Sequence, residues 1–196
     1  ANAEGQFIIP LGKHNIQKWR TNPESVYLVK AEGKSRVHLY DAAGKLLVSD
    51  CYVNKASFAL NFPEPNADCY PWKYLNVRLA GNMAGFFHAD GRQILPIEFE
   101  YVQYCSDRHP LLTGRRHPED NSISGWEAYD FSGKEILNRE FRSLAFTYNP
   151  RLLLGLDQAS RLWGFVSLDT PDKARFDYEQ LAGLHSGYFV GKSNAG

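Results

Sequence analysis

The sequence predicts an all-β fold of tandem antiparallel β repeats of about 40 residues, packed propeller-like or as an open hairpin array. Three observations predict it. A segment with glycine five residues before aspartate recurs, a turn signature follows each of those aspartates, and the composition suits short strands. The 12 Phe, 11 Tyr and 16 Gly, against one Met, favour strands joined by tight turns over long helices.

The first strand of each unit is the glycine segment: Gly85-Phe86-Phe87-His88-Ala89-Asp90, Gly125-Trp126-Glu127-Ala128-Tyr129-Asp130 and Gly164-Phe165-Val166-Ser167-Leu168-Asp169. Ser35 to Asp41 gives the same strand with Arg36 in the glycine position. A turn follows: Asp41-Ala42-Ala43-Gly44-Lys45, Asp90-Gly91-Arg92, Asp130-Phe131-Ser132-Gly133-Lys134 and Asp169-Thr170-Pro171-Asp172-Lys173. Gly and Asp tolerate the backbone angles that hairpin loops demand. Ala3-Glu4-Gly5-Gln6 reads as the end of a similar turn, so the turns fall near residues 5, 44, 91, 133 and 172.

A second strand comes next, at Ile8-Ile9-Pro10, Leu46-Leu47-Val48, Ile94-Leu95-Pro96 and Ile136-Leu137-Asn138. Proline lacks an amide donor, so it favours a bend or a sheet edge there. A third short strand is expected at an acid followed by an aromatic: Glu98-Phe99, Glu140-Phe141 and Asp177-Tyr178, with Cys51 in the aromatic place. The last strand is Leu111-Leu112-Thr113-Gly114, Leu152-Leu153-Leu154-Gly155 and Tyr188-Phe189-Val190-Gly191, echoed by Tyr27-Leu28-Val29-Lys30. The units run 1–34, 35–80, 81–123, 124–160 and 161–196 within a single domain.

Trp163-Gly164-Phe165-Val166, the turn with Lys173, the acidic-aromatic pair and the closing Gly187-Tyr188-Phe189-Val190-Gly191-Lys192 resemble one WG repeat. Gly85-Phe86 through Gly91-Arg92-Gln93-Ile94-Leu95-Pro96 to Phe99 is similar but lacks the tryptophan. The resemblance implies a non-catalytic bacterial repeat domain used as an interaction module, with no catalytic residues to transfer. Physics points the same way. A unit of about forty residues cannot bury its apolar face alone, so neighbours must stack to supply the core. Propeller-like packing is favoured over an open row of hairpins.

Charge narrows the partners. With 22 basic and 22 acidic residues the formal charge is zero, so no large field draws in nucleic acid or anionic lipid. Apolar runs such as Leu152 to Leu154 fall far short of the roughly 20 residues of a membrane-spanning helix. The expected partner is a protein, with a glycan as the alternative; nucleic acid and membrane insertion are not expected. Ala1-Asn2-Ala3 fits either the residue left by signal-peptide cleavage, with a periplasmic or secreted chain, or an expression scar on a cytoplasmic one.

Candidate chemistry is sparse. Glu98 and Glu100 would share one face of a strand, as paired carboxylates of a hydrolase require, yet Glu140 and Asp177 recur at the Glu98 position. Recurrence argues for structure, because a catalytic acid has no reason to repeat. Trp163, next to Gly164 in a repeated strand, and Cys51, at the repeated aromatic position, are expected in the core. Cys105, His109 and His117 form no four-ligand metal set, and no phosphate loop or nucleophile elbow occurs. No cofactor, metal or catalytic residue is therefore expected.

Insertions are the better guide, since they map to loops that often bind. Residues 62–74 combine three prolines with Phe62, Tyr70, Trp72 and Tyr74, a stiff loop offering aromatic contact area. Arg115-Arg116-His117-Pro118-Glu119-Asp120-Asn121 is the second, a solvated loop that could orient an acidic partner through Arg115 and Arg116. The expected function is a non-catalytic scaffold binding a protein partner, with a carbohydrate-binding module and a hydrolase as alternatives.

Overall fold

A computed structural model describes residues 14–19, 26–55, 73–116, 122–137, 139–183 and 189–193. The fold is all-β, with one 3-10 turn at Pro171–Lys173 and no α-helix among the described residues. Its strands lie in two compact units. The first holds β1 (His14–Lys18), β2 (Tyr27–Ala31), β3 (Val37–Tyr40), β4 (Leu46–Lys55), β5 (Tyr74–Arg78), β6 (Ala84–His88) and β7 (Gln93–Phe99). The second holds β8 (Tyr101–Gln103), β9 (Leu111–Arg116), β10 (Ile123–Tyr129), β11 (Phe141–Phe146), β12 (Leu152–Asp157), β13 (Trp163–Ser167), β14 (Arg175–Gly183) and β15 (Phe189–Ser193).

Every strand pairs antiparallel with its sequence neighbour, giving a seven-stranded and an eight-stranded sheet in simple chain order. Neither order closes into a barrel, which agrees with the open hairpin array of the two packings.

In β4 and β14 the chain makes one strand that changes partner where the sequence suggested separate short strands, whereas Ile136-Leu137 stay apart from β11. In β4, residues 46–51 pair with β3 and residues 52–55 with β5. In β14 the exchange from β13 to β15 occurs at Tyr178. A bulge accompanies each exchange, and bulges are how strands bend and twist more sharply. The aligned residues stand alike: Cys51 faces Val37, Phe99 faces Ala84, Phe141 faces Trp126 and Tyr178 faces Trp163. Each partner is one residue from the glycine position of its strand.

At Gly85 and Gly164 that glycine has a steric reason. A Cβ on Gly85 would lie 3.0 Å from the carbonyl oxygens of Leu95 and Pro96 and 2.7 Å from Cγ1 of Ile97. The bulged neighbour strand presses its backbone into the space a side chain would need. Arg36 occupies this position without glycine, and there the bulge residue Asp50 takes a left-handed φ of 52° instead. The Arg36 guanidinium pairs with the Asp50 carboxylate at 2.6 Å.

The turn aspartates do more than tolerate a turn. Asp130 Oδ1 accepts the amides of Ser132 and Lys134 at 2.8 and 3.0 Å, and Asp41 Oδ1 accepts that of Lys45 at 2.8 Å. The carboxylate thus satisfies amides that the tight loop leaves without a backbone partner.

Each unit has its own core. In the first, Val26, Leu39, Cys51, Leu75 and Val77 are fully buried. In the second, Leu112, Phe141, Leu153 and Val166 are fully buried, with Trp126 at 7% exposure. Each such side chain contributes about 1.5–3 kcal/mol through removal from water. Trp163 departs from expectation. Its strand alternates so that Gly164 and Val166 face inward, leaving Trp163 and Phe165 on the half-covered face. Trp126, not Trp163, is the buried indole of this unit.

Candidate functional site

Phe62, Tyr70 and Trp72 lie outside the described residues. Tyr74 is described, and it is no loop residue. It opens β5, which pairs with β4 and β6, and its ring is 8% exposed, stacked 5.4 Å from Phe86 and edge-on to His88 at 5.6 Å. A ring held this way is part of the core, so Tyr74 leaves the set of contact residues.

Arg115 and Arg116 also belong to a strand, where the sequence suggested a loop. They close β9, with Arg115 opposite Ser124 and Arg116 opposite Ile123. Both are exposed, but the pleat sends their side chains to opposite faces.

On the Arg115 face the chemistry is polar and already paired. Tyr129 donates its hydroxyl to Glu127 at 2.8 Å, and the Arg115 guanidinium stands 4.0 Å from the same carboxylate. Burial, then the Glu127 carboxylate, push the Tyr129 phenol well above its usual range, so it stays a neutral donor.

The Arg116 face is apolar and aromatic. Tyr101 of β8 pairs with Gly114, which puts its side chain on this face. Its ring, 39% exposed, meets Trp126 edge-on at 5.8 Å. Gly114 makes the arrangement possible, because a Cβ there would be 2.6 Å from Cγ2 of Ile123 and 3.2 Å from the indole. A buried tryptophan thus anchors a half-exposed tyrosine, with Ile123 beside them and Arg116 at the rim. Sequence reasoning found Arg116 through its insertion but missed Tyr101 and Trp126. Trp126 was visible only as a member of the repeated strand, and nothing local in the sequence ties Tyr101 to it.

His109, Asp157 and Cys51 are engaged in holding the fold. The Nε2–H of His109 donates to the Thr147 carbonyl at 3.1 Å, leaving Nδ1 to accept from the Ser106 hydroxyl at 2.7 Å. Burial lowers the His109 pKa, against the opposing pull of Thr147. Asp157 is raised by burial, but the amide and hydroxyl of Ser160 and the nearby Arg139 outweigh that and hold it below its usual range. The Cys51 thiol, which donates to the Val37 carbonyl, is pushed up to about 11 by burial and is unreactive near neutral pH. No group of three or more His, Cys, Asp or Glu side chains able to hold a metal occurs among the described residues. Nor is any helix among them long and apolar enough to cross a membrane.

No family model and no curated protein matches this chain. The resemblance to WG repeats therefore rests on its motifs. Among solved structures, the crystal structure of the computationally designed Ika4 protein aligns with 83% of this chain and 98% of its own, at 11% identity and a TM-score of 0.32. A likeness that low carries no argument about fold or function.

Proposed function

We propose that the chain is a non-catalytic interaction module that binds a protein partner through the face formed by Tyr101, Trp126, Ile123 and Arg116. The observation that carries this reading is the half-exposed Tyr101 ring seated on the buried Trp126, with an arginine at its edge. Tyr, Trp and Arg are the side chains over-represented where a few contacts dominate protein binding. Their conformational cost on binding is low here, because Trp126 and Gly114 already fix the tyrosine. A protein suits this face better than a sugar. The Trp126 indole is covered, so it offers no open platform for a pyranose ring.

Site-specific photo-crosslinking tests the proposal. A crosslinking residue at position 101, in cells that make the chain, is expected to couple one protein reproducibly. The same residue at the exposed position 52, on another strand, is expected not to. The purified partner should then lose at least tenfold in affinity for the Tyr101→Ala, Arg116→Glu double variant. Indistinguishable crosslinks from positions 101 and 52 would remove the assignment.

A further inference from the structure

Arg36 stands where the repeat elsewhere has Gly85, Gly125 or Gly164. A second position departs with it. The residue after the aligned aromatic is Glu100, Arg142 or Glu179 in the other units and Tyr52 here. Two residues that leave the pattern together and then touch are not explained by what the strands need in order to fold.

They do touch. Continuing the register in which Val37 faces Cys51 sets Arg36 beside Tyr52. The guanidinium lies over the phenol ring, 5.4 Å from its centroid. On its other flank Tyr52 faces Arg78 of β5. A tyrosine that is 42% exposed thus stands in a cross-strand row between two arginines. Asp50 precedes it, pairing with Arg36 at 2.6 Å, and His38 of β3 accepts the Asp50 amide on Nδ1 at 3.3 Å.

From this cluster we infer that Tyr52 is a modification site, whose phenol oxygen accepts an acyl or sulfonyl group from a small electrophile bearing a good leaving group. The ionised phenol is the nucleophile, and a neighbouring cation favours it. Arg36 donates to the phenol oxygen, and with the Ser35 hydroxyl and the guanidinium charge it holds the Tyr52 pKa below the usual phenol range. Burial and the Asp50 carboxylate pull the other way. Arg36 itself stays protonated, secured by Tyr52 and Asp50. In the step, a bond forms from the phenol oxygen to the acyl carbon or sulfonyl sulfur, the bond to the leaving group breaks, and the phenol proton passes to water. The inference is independent of the partner face, which is built from the second unit.

An uncharged aryl sulfonyl fluoride serves as the probe, added to the full chain near neutral pH and followed by intact mass and peptide mapping; fluoride is the group that leaves. Tyr101 and Tyr148, each 39% exposed, are the comparison within the same molecule. Tyr52 is expected to take the label at least about tenfold faster than either, with a rate that rises with pH. Arg36→Gln should slow labelling at least about fivefold and move that rise to higher pH, and Arg36→Lys, which keeps a cation, should recover most of the rate. Asp50→Asn keeps a residue that tolerates the left-handed angle while releasing Arg36 from its carboxylate, so labelling of Tyr52 should quicken. Equal rates at Tyr52, Tyr101 and Tyr148 overturn the inference. So does a Tyr52 rate that ignores pH, or one that Arg36→Gln leaves unchanged in a folded chain. Where Arg36→Gln does not fold, Asp50→Asn decides: labelling no faster than in the parent chain overturns the inference as well.

Discussion

Gly164 lies directly beneath the backbone carbonyl of Arg175, so that any Cβ at position 164 would overlap that oxygen. Because the obstacle is backbone and not the end of a flexible side chain, β13 and β14 would have to part. Gly164→Ala should therefore destabilise the chain by at least about 2 kcal/mol, the overpacking range. Gly125 occupies the aligned place for a different reason, a φ of 58°, since a Cβ there would come no nearer than 3.8 Å to the surrounding atoms. Gly125→Ala should cost only the left-handed penalty of about 1–2 kcal/mol. Urea denaturation of both variants checks the order; a Gly164→Ala cost at or below that of Gly125→Ala would refute the steric account.

Asp50 holds a left-handed backbone that Arg36 stabilises from across the bulge. Asp50→Gly relieves the backbone while losing an exposed ion pair of small net weight, so stability should change little. Asp50→Ala loses the same pair but keeps the unfavourable angle, and should be less stable than Asp50→Gly by about 1–2 kcal/mol. Equal melting temperatures for the two variants would show that the angle at residue 50 carries no strain.

Much of this frame was legible in the sequence. Glycine, aspartate and acidic-aromatic spacings placed the strands and turns, and they placed Cys51 in a core where it is fully buried. What could not be read is where strands bend. A bulge is set by neighbouring strands meeting, so the fusion of residues 46–55 into one strand left no local sign. The same limit hid the proposed contact face. Tyr101 and Trp126 are far apart in sequence and meet because β8 and β10 flank β9, while Tyr74 looked like part of an aromatic loop although it begins a central strand.

The two indoles should separate on truncation. Trp126→Ala removes a nearly buried ring and should cost about 3–5 kcal/mol. Trp163→Ala removes a half-covered one, and its cost should be smaller by at least about 1 kcal/mol. Chemical denaturation ranks them, and a larger loss at position 163 would return Trp163 to the core.

Stability should fall as pH drops from 7 to 5. His109 is held neutral by burial, so its folded pKa lies below the unfolded value of about 6.5. The unfolded chain then binds more protons in that interval. The contribution is complete above pH 6.5 and is lost as pH falls through the folded pKa. His109→Gln should flatten this part of the profile. An NMR titration placing the His109 pKa at or above 6.5 would contradict the burial argument.

Arg115 and Arg116 offer the most direct test of the binding face, because adjacent residues of one charge point to opposite sides of one strand. The measurement is the affinity of the protein captured at position 101 for Arg115→Glu and Arg116→Glu, by calorimetry at physiological salt. The account predicts that Arg116→Glu weakens binding at least tenfold. Arg115→Glu should place a second acid beside Glu127 and lower stability, yet leave affinity within about threefold. Equal losses of affinity, or a larger loss at Arg115, would contradict a partner seated on Tyr101 and Trp126.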